Sequence, residues 1–287
     1  MVKRRASVRR GLADRLVSPE LRAKMARVSS ELGELGVDPF GFDPEIAQYA
    51  AAPMEWLYRS YFRVDAQGLE NVPDRGRVLL ISNHSGQLPF DGAMIGTALV
   101  LEKDPPRVVR SMVEKWVPRL PFVSYTFARV GQVVGTPDNC RRLLAREEAI
   151  LVFPEGARGI SKTFDKRYKL ERFGYGFMRL ALETRTPIVP VAVVGAEEQQ
   201  PSFYNVKSVA KLLGIPAFPI TPTFPWLGPA GLLPLPVRYH RRFGAPVLYE
   251  GYGDETDEAV GEHVEDLRGR IQRMLDDGLQ ARKSVFR

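Results

Sequence analysis

The chain has 287 residues, a hydrophobic share of 44%, a formal net charge of +7 and a single cysteine, Cys140. Such a composition supports one sizeable core, excludes any intramolecular disulfide, and with its basic balance favours anionic partners: nucleic acid, anionic lipid or a phosphate-rich cofactor. No apolar run approaches the roughly 18 residues of a spanning helix, and the basic start MVKRRASVRRGLADRL lacks the apolar core of a secretory signal.

Residues 1 to about 30 carry nine Lys/Arg against Asp14 and Glu20. Leu12, Leu16, Leu21, Met25 and Val28 fall at short helical spacing, so this part reads as helical pieces with basic faces. Two readings stay open, a solvated tail and an arm drawn to anionic lipid. Glu45 to Phe62 predicts a second helix, which Pro53 breaks or restarts. From Phe62 strands and helices alternate. Strands are predicted at Val78–Ser82, Arg107–Met112, Val130–Val134, Ile150–Phe153, Ile188–Val194 and Val237–Phe243. Helices are predicted at Gly92–Lys103, Asn139–Glu148 and Phe173–Thr184. Alternation of this kind implies an α/β fold, a sheet with helices on both faces. Leu212 to Pro236 is almost uncharged and rich in Pro, which leaves irregular packing on the core or an apolar rim facing lipid through Phe218, Phe224, Trp226, Leu227, Leu232 and Leu233. Val260, Val264, Leu267, Ile271, Leu275 and Leu279 then mark a C-terminal amphipathic helix over about Asp254 to Arg282.

Two predicted strands stop abruptly at polar residues. The first runs into SNHSGQLPFDG, holding His84 and Asp91; the second runs into FPEGAR, holding Glu155, Gly156 and Arg158. Parallel sheets build their sites at the carboxyl ends of strands, so the two loops are predicted to share one crevice. A His beside an orienting carboxylate is suited to take a proton, and a guanidinium to grip a phosphate. Taken alone, Asp91 has a second reading as a helix cap, His84 as a loop histidine satisfied by backbone, and Glu155 with Arg158 as a local ion pair, which the flanking Pro154 and Gly156 disfavour. His240 and His263 lack such surroundings and read as structural or solvated.

These segments resemble the glycerolipid acyltransferase family, which includes lysophosphatidic acid acyltransferase. SNHSGQLPFDG is similar to its His-x-x-x-x-Asp block, FPEGAR to its FPEGTR block, and TPIVPVAVVGAEE, Thr186 to Glu198, to its later apolar strand. Three blocks in the family's order are far more specific than one. The sequence departs from the family pattern twice. Asp91 lies seven positions after His84, with Pro89 where the Asp is usual, and GQVVGTPDN puts Thr136 and Pro137 where the family has an Asp-Arg pair.

The resemblance implies transfer of a fatty acyl group from an acyl-CoA or acyl carrier protein thioester to a hydroxyl of a lysophospholipid or other glycerolipid. It assigns His84 as general base, Asp91 as its partner, and Glu155, Gly156 and Arg158 to the acceptor and its phosphate. Backbone N–H groups of the SGQ turn are candidate oxyanion donors, Glu155 is a candidate to fix Arg158, and the basic run KTFDKRYKLER, Lys162 to Arg172, is a candidate for the donor's phosphates. No cofactor or metal is implied. The expected partners are membrane lipid and the acyl donor, not nucleic acid, and the expected place is peripheral, on the cytoplasmic side of a membrane. The expected organisation is a basic helical extension over 1–63, one mixed-sheet acyltransferase domain over 64–250, and the C-terminal helix over 251–287. Two alternatives stay open, a catalytically silent lipid-binding relative and transfer to a neutral acceptor.

Overall fold

The computed structural model describes residues 14–28, 32–117, 123–214 and 217–286. The part of the basic arm before Asp14, Leu12 included, lies outside them.

Seven strands form one sheet: β1 (Asp65–Gln67), β2 (Val78–Ser82), β3 (Val109–Val113), β4 (Val133–Val134), β5 (Ala149–Val152), β6 (Ile188–Val194) and β9 (His240–Phe243). Their order is β1-β9-β6-β2-β5-β3-β4. Strands β6, β2, β5, β3 and β4 run parallel. β9 returns antiparallel beside β6, and β1 lies parallel to β9. The sheet is therefore mixed, as expected. Two further short strands, β7 (Tyr204–Asn205) and β8 (Pro219–Ile220), pair with each other apart from it.

Both faces are covered. Every residue of β2 and β6 is buried, which is why these stretches are continuously apolar rather than alternating. Their period of two divides them between two cores. Val78 and Leu80 face one with Val189, Val191 and Val193; Leu79 and Ile81 face the other with Ile188, Ala192 and Val194. The first core is closed by helices α1 (Pro19–Ala26), α2 (Pro44–Trp56) and α3 (Phe90–Leu101). α4 (Val123–Arg129) lies beside α2. The second core is closed by α5 (Pro137–Ala145), α7 (Gly176–Thr184) and α9 (Asp257–Ala281). The short helix α6 (Ala157–Ile160) follows β5, and α8 (Lys207–Leu213) lies between β7 and β8.

Most boundaries fall within three residues of those read from the sequence, and the exceptions have local causes. Pro53 sits inside α2 rather than breaking it, and the helix then widens into a π-helical stretch, Leu57–Tyr61. Strand β4 is only two residues long, because the chain is still leaving α4 up to Gln132, whose amide donates to Phe127 O. Thr136 and Pro137 are explained by α5: Thr136 caps it by accepting from Asn139 N, and Pro137 fills the first helical position. In the C-terminal helix the predicted stripe is buried at Val260, Val264, Leu267, Ile271 and Leu275.

The N-terminal segment does not stand off from the sheet. Val17, Leu21, Met25 and Phe42 are buried in the first core, whereas Leu16 is exposed. A buried ion pair anchors this segment. Asp38 accepts from Phe40 N at 2.9 Å and Phe42 N at 2.8 Å and also pairs with Arg110 of β3, both side chains being 1% exposed. Asp38→Ala should therefore destabilise the fold by about 3–5 kcal/mol, because Arg110 would keep a buried, unpaired charge. Urea unfolding should show the midpoint falling with an unchanged slope; a shift of less than about 1 kcal/mol would refute this.

Candidate functional site

β2 and β5 are neighbours in register, Ile81 opposite Val152, so the segments leaving their carboxyl ends emerge side by side. His84 follows one and Phe153 the other, and their rings stack at 4.1 Å. His84 Nδ1 lies 2.7 Å from Asp91 Oδ2. The two extra residues of the SGQLPF loop therefore do not prevent the contact. Asp91 is fully buried in the first turn of α3, and its carboxylate also accepts from Ser85 N at 2.9 Å and Gly92 N at 2.7 Å. With these donors fixed, the carboxylate has one orientation to offer the ring. Nδ1 is thereby committed, leaving Nε2 as the ring nitrogen free to exchange a proton.

Ser85 N is used by Asp91 and is withdrawn from the candidate oxyanion donors. Asn83 bridges two strands. Its amide donates to Val193 O at 3.1 Å and its side-chain oxygen accepts from Val193 N at 2.8 Å, tying the end of β2 to β6.

Glu155 departs from its expected role. It is 1% exposed and is not paired with Arg158. One oxygen accepts from His84 N at 2.9 Å and the other from Glu171 N at 2.9 Å. Lys162 Nζ stands 3.4 Å from Glu155 and 3.0 Å from Glu197 and donates to Lys169 O at 3.2 Å. Burial alone would lower the Lys162 ammonium, but the two carboxylates outweigh it and hold it above its usual range. Lys162 is thus withdrawn from the donor's candidate ligands, while Lys166, Arg167 and Lys169 of the same run remain exposed. Arg158 is exposed and donates to Arg172 O at 2.8 Å. Gly156 opens α6 with φ 56° and ψ −145°, a conformation that favours glycine.

Gly159 and Glu197 were not singled out in the sequence, and Lys162 only as the first residue of the basic run. At Gly159 a Cβ would lie 2.8 Å from His84 O and 2.9 Å from His84 Cβ, so α6 packs against the histidine only because the side chain is missing. The signal for it is a glycine inside the first turn after FPEGAR, a weak one without the fold. Lys162 is hidden by the solvent-facing basic residues that follow it. Beside this cluster opens a polar notch lined by Gly86, Gln87, Gly159, Lys162, Thr163, Phe164, Glu197, Gln200 and Ser202.

His240 and His263 lie away from this arrangement. His240 Nδ1 is 3.3 Å from Asp65, and His263 packs against the Tyr249 ring at 5.0 Å. Among the described residues no three His, Cys, Asp or Glu side chains group as a metal site would require.

The acyltransferase family profile matches residues 63–194. An uncharacterized protein of Mycobacterium leprae is 41% identical over 259 residues, 88% of this chain and 71% of that protein. A bovine protein described as a DGAT1/2-independent enzyme synthesizing storage lipids is 22% identical over 78% of this chain and 64% of its own. Among solved structures, the 1-acyl-sn-glycerophosphate acyltransferase of Thermotoga maritima superposes with a TM-score of 0.51 at 19% identity, covering 84% of this chain and 80% of that one.

Glu197 makes the cluster sensitive to pH. Burial raises its carboxyl from 4.5 to about 6, against the pull of Lys162. The folded state then holds this proton more tightly than the unfolded chain does. The stability it contributes is complete below 4.5 and is lost as pH rises through 6. In urea unfolding across that window, the stability of the native protein should fall relative to Glu197→Gln. A constant difference between the two would show that Glu197 does not titrate there.

Proposed function

Because the chain belongs to the glycerolipid acyltransferase family, we propose that it transfers a fatty acyl group from an acyl-CoA or acyl carrier protein thioester to the hydroxyl of a lysophospholipid, with His84 as general base. The observation that carries this reading is the His84–Asp91 contact of 2.7 Å at the carboxyl edge of the sheet. Nε2 takes the proton of the acceptor hydroxyl as its oxygen attacks the thioester carbonyl. Asp91 holds the ring in one tautomer and stabilises the imidazolium that forms. Collapse of the tetrahedral intermediate breaks the C–S bond, and the imidazolium returns the proton to the departing thiolate. The acyl group passes directly between substrates, so Ser85, whose Oγ is buried, forms no covalent intermediate.

Arg158 is the exposed guanidinium of the FPEGAR loop and is assigned to the acceptor's phosphate. Glu155 and Gly156 hold the loop rather than the acceptor. Among the described residues no helix is long and apolar enough to cross a membrane, and the protein is proposed to meet its lipid from the cytoplasmic surface. A second reading, transfer to a neutral glycerolipid hydroxyl, is favoured by Thr136 and Pro137. These residues stand where the family has its Asp-Arg pair, and they cap a helix instead of offering a guanidinium. The name of the bovine relative, which concerns storage lipids, agrees with it. Incubation of the protein with labelled acyl-CoA and a panel of lysophospholipids, glycerol 3-phosphate and diacylglycerol, with products identified by mass, tests both; no acylated product with any acceptor refutes both.

His84→Ala should reduce turnover by about 10²–10⁴-fold without loss of fold. Asp91→Asn should lower kcat more than it raises KM, since it disturbs the base and not the acceptor pocket. Near-native rates in folded His84→Ala protein would end the assignment.

Arg158→Lys keeps the charge but loses the two-pronged geometry. KM should rise for a phosphate-bearing acceptor and stay close to native for a neutral one. Equal losses with both would place Arg158 in structure or at the donor.

A further inference from the structure

Between the site and β9 the chain makes an excursion, from Pro201 to Pro236, that lies beyond the region matched by the family profile, which ends at 194. Its two ends are drawn together beside the notch. Leu235 N donates to Gln199 O at 2.7 Å, and the Gln200 side chain bonds to Leu232 O. Gln200 and Ser202 line the notch with Gly86 and Gln87 of the histidine loop, and Phe164 of the same rim meets Phe203 edge-on at 6.2 Å. The excursion therefore stands beside the histidine loop.

It is built unlike a segment that covers a core. Phe203, Tyr204, Leu212, Trp226, Leu227 and Leu233 are 60% to 85% exposed. Of the six residues that the sequence offers for an apolar rim, Trp226, Leu227 and Leu233 are exposed. Phe218 and Phe224 pack on each other at 5.1 Å, and Leu232 is half-buried. So many large apolar side chains on one short excursion are unusual for a protein surface that meets only water. The electrostatics choose the partner. No Asp or Glu occurs between Glu198 and Glu250, in a chain that holds 34 of them, and the charged residues of the excursion are Lys207 and Lys211, both exposed on α8. Exposed Trp, Tyr and Leu in one excursion with two exposed lysines, acids being absent, match the interfacial zone of an anionic bilayer, where aromatic rings sit at headgroup level and each lysine gains from the surface charge.

We propose that the excursion 201–236 is the surface by which this protein docks on an anionic lipid bilayer, with Trp226, Leu227 and Leu233 entering the headgroup boundary and Lys207 and Lys211 meeting lipid phosphates. The proposal rests on the acyltransferase reading for its purpose, since a lipid acceptor would then reach His84 without leaving the membrane, but not for its test.

The full chain is sedimented with vesicles of phosphatidylcholine alone and of phosphatidylcholine mixed with phosphatidylglycerol. Trp226→Ser, Leu227→Ser and Leu233→Ser combined should lower partition by roughly ten-fold or more on both kinds of vesicle, with an unchanged thermal melt. Lys207→Glu with Lys211→Glu should lower it only on the phosphatidylglycerol vesicles, and added salt should abolish that difference. Native partition by the folded triple variant overturns the proposal. So does a lowered melting temperature, which would mean that these side chains pack within the molecule. A native oligomer that the triple variant converts to monomer would make a second copy the occupant and overturn it too. Partition needs no turnover, so a protein that docks as described but acylates nothing would refute the acyltransferase reading and leave this one standing.

Discussion

The buried carboxylate of Glu155 is the group on which the histidine loop depends. It leaves β5 pointing inward, and its oxygens receive the backbone of His84 from one side and of Glu171 from the other. A carboxylate in that position is stable only with a countercharge, which Lys162 supplies, and the ammonium is itself shared with Glu197 beyond the end of β6. Three polypeptide segments that leave the sheet at neighbouring strands are thereby locked to one another. His84 is held at its backbone by Glu155, at its ring by Asp91 and Phe153, and from behind by the bare backbone of Gly159. A histidine fixed on so many sides would need little reorganisation to act as the proposed base.

The sheet makes this convergence possible. Five parallel strands bring their carboxyl ends to one edge, and the central trio β5, β2 and β6 carries FPEGAR, SNHSG and the GAEEQQ turn in adjacent positions. Beyond β6 the chain reverses. β9 and β1 extend the sheet in the opposite sense, and α9 covers the second core over its whole length. A second charged cluster fastens that helix to the site side: Tyr168 donates to Glu198, and Arg282, just past the end of α9, pairs with Glu198 at 2.8 Å. The loop after β5, the turn after β6 and the C-terminal helix are thus mechanically continuous.

Charge is distributed unevenly around this edge. The groups behind His84 are buried and mutually compensated, while the positive residues Arg158, Lys166, Arg167 and Lys169 face solvent from the loops between β5 and α7. The excursion before β9 adds apolar bulk and two lysines. The proposed substrate, with an acyl tail and a polar, anionic head, would use both the basic residues and the apolar excursion.

The sequence by itself determined the α/β class and the strand ends at which the two polar loops begin, and the resemblance of those loops to the acyltransferase blocks singled out His84 and Asp91. These are local facts: apolar runs of strand length stop at polar loops, and the spacing within each loop is written in the chain. It also determined the C-terminal helix, whose stripe repeats over many turns. Tertiary structure alone decided what lies between the loops. Glu155 reads as a partner for Arg158 until β5 is placed beside β2, where its oxygens meet the His84 amide. Lys162 reads as one cation of a basic run until packing buries it between two acids that are 7 and 35 positions away along the chain. Asn83 reads as a turn until Val193 is found opposite it. Arg110 and Asp38, 72 positions apart, leave no trace in either local segment. Burial and long-range pairing depend on which segments become neighbours, and periodicity within a segment carries no information about that.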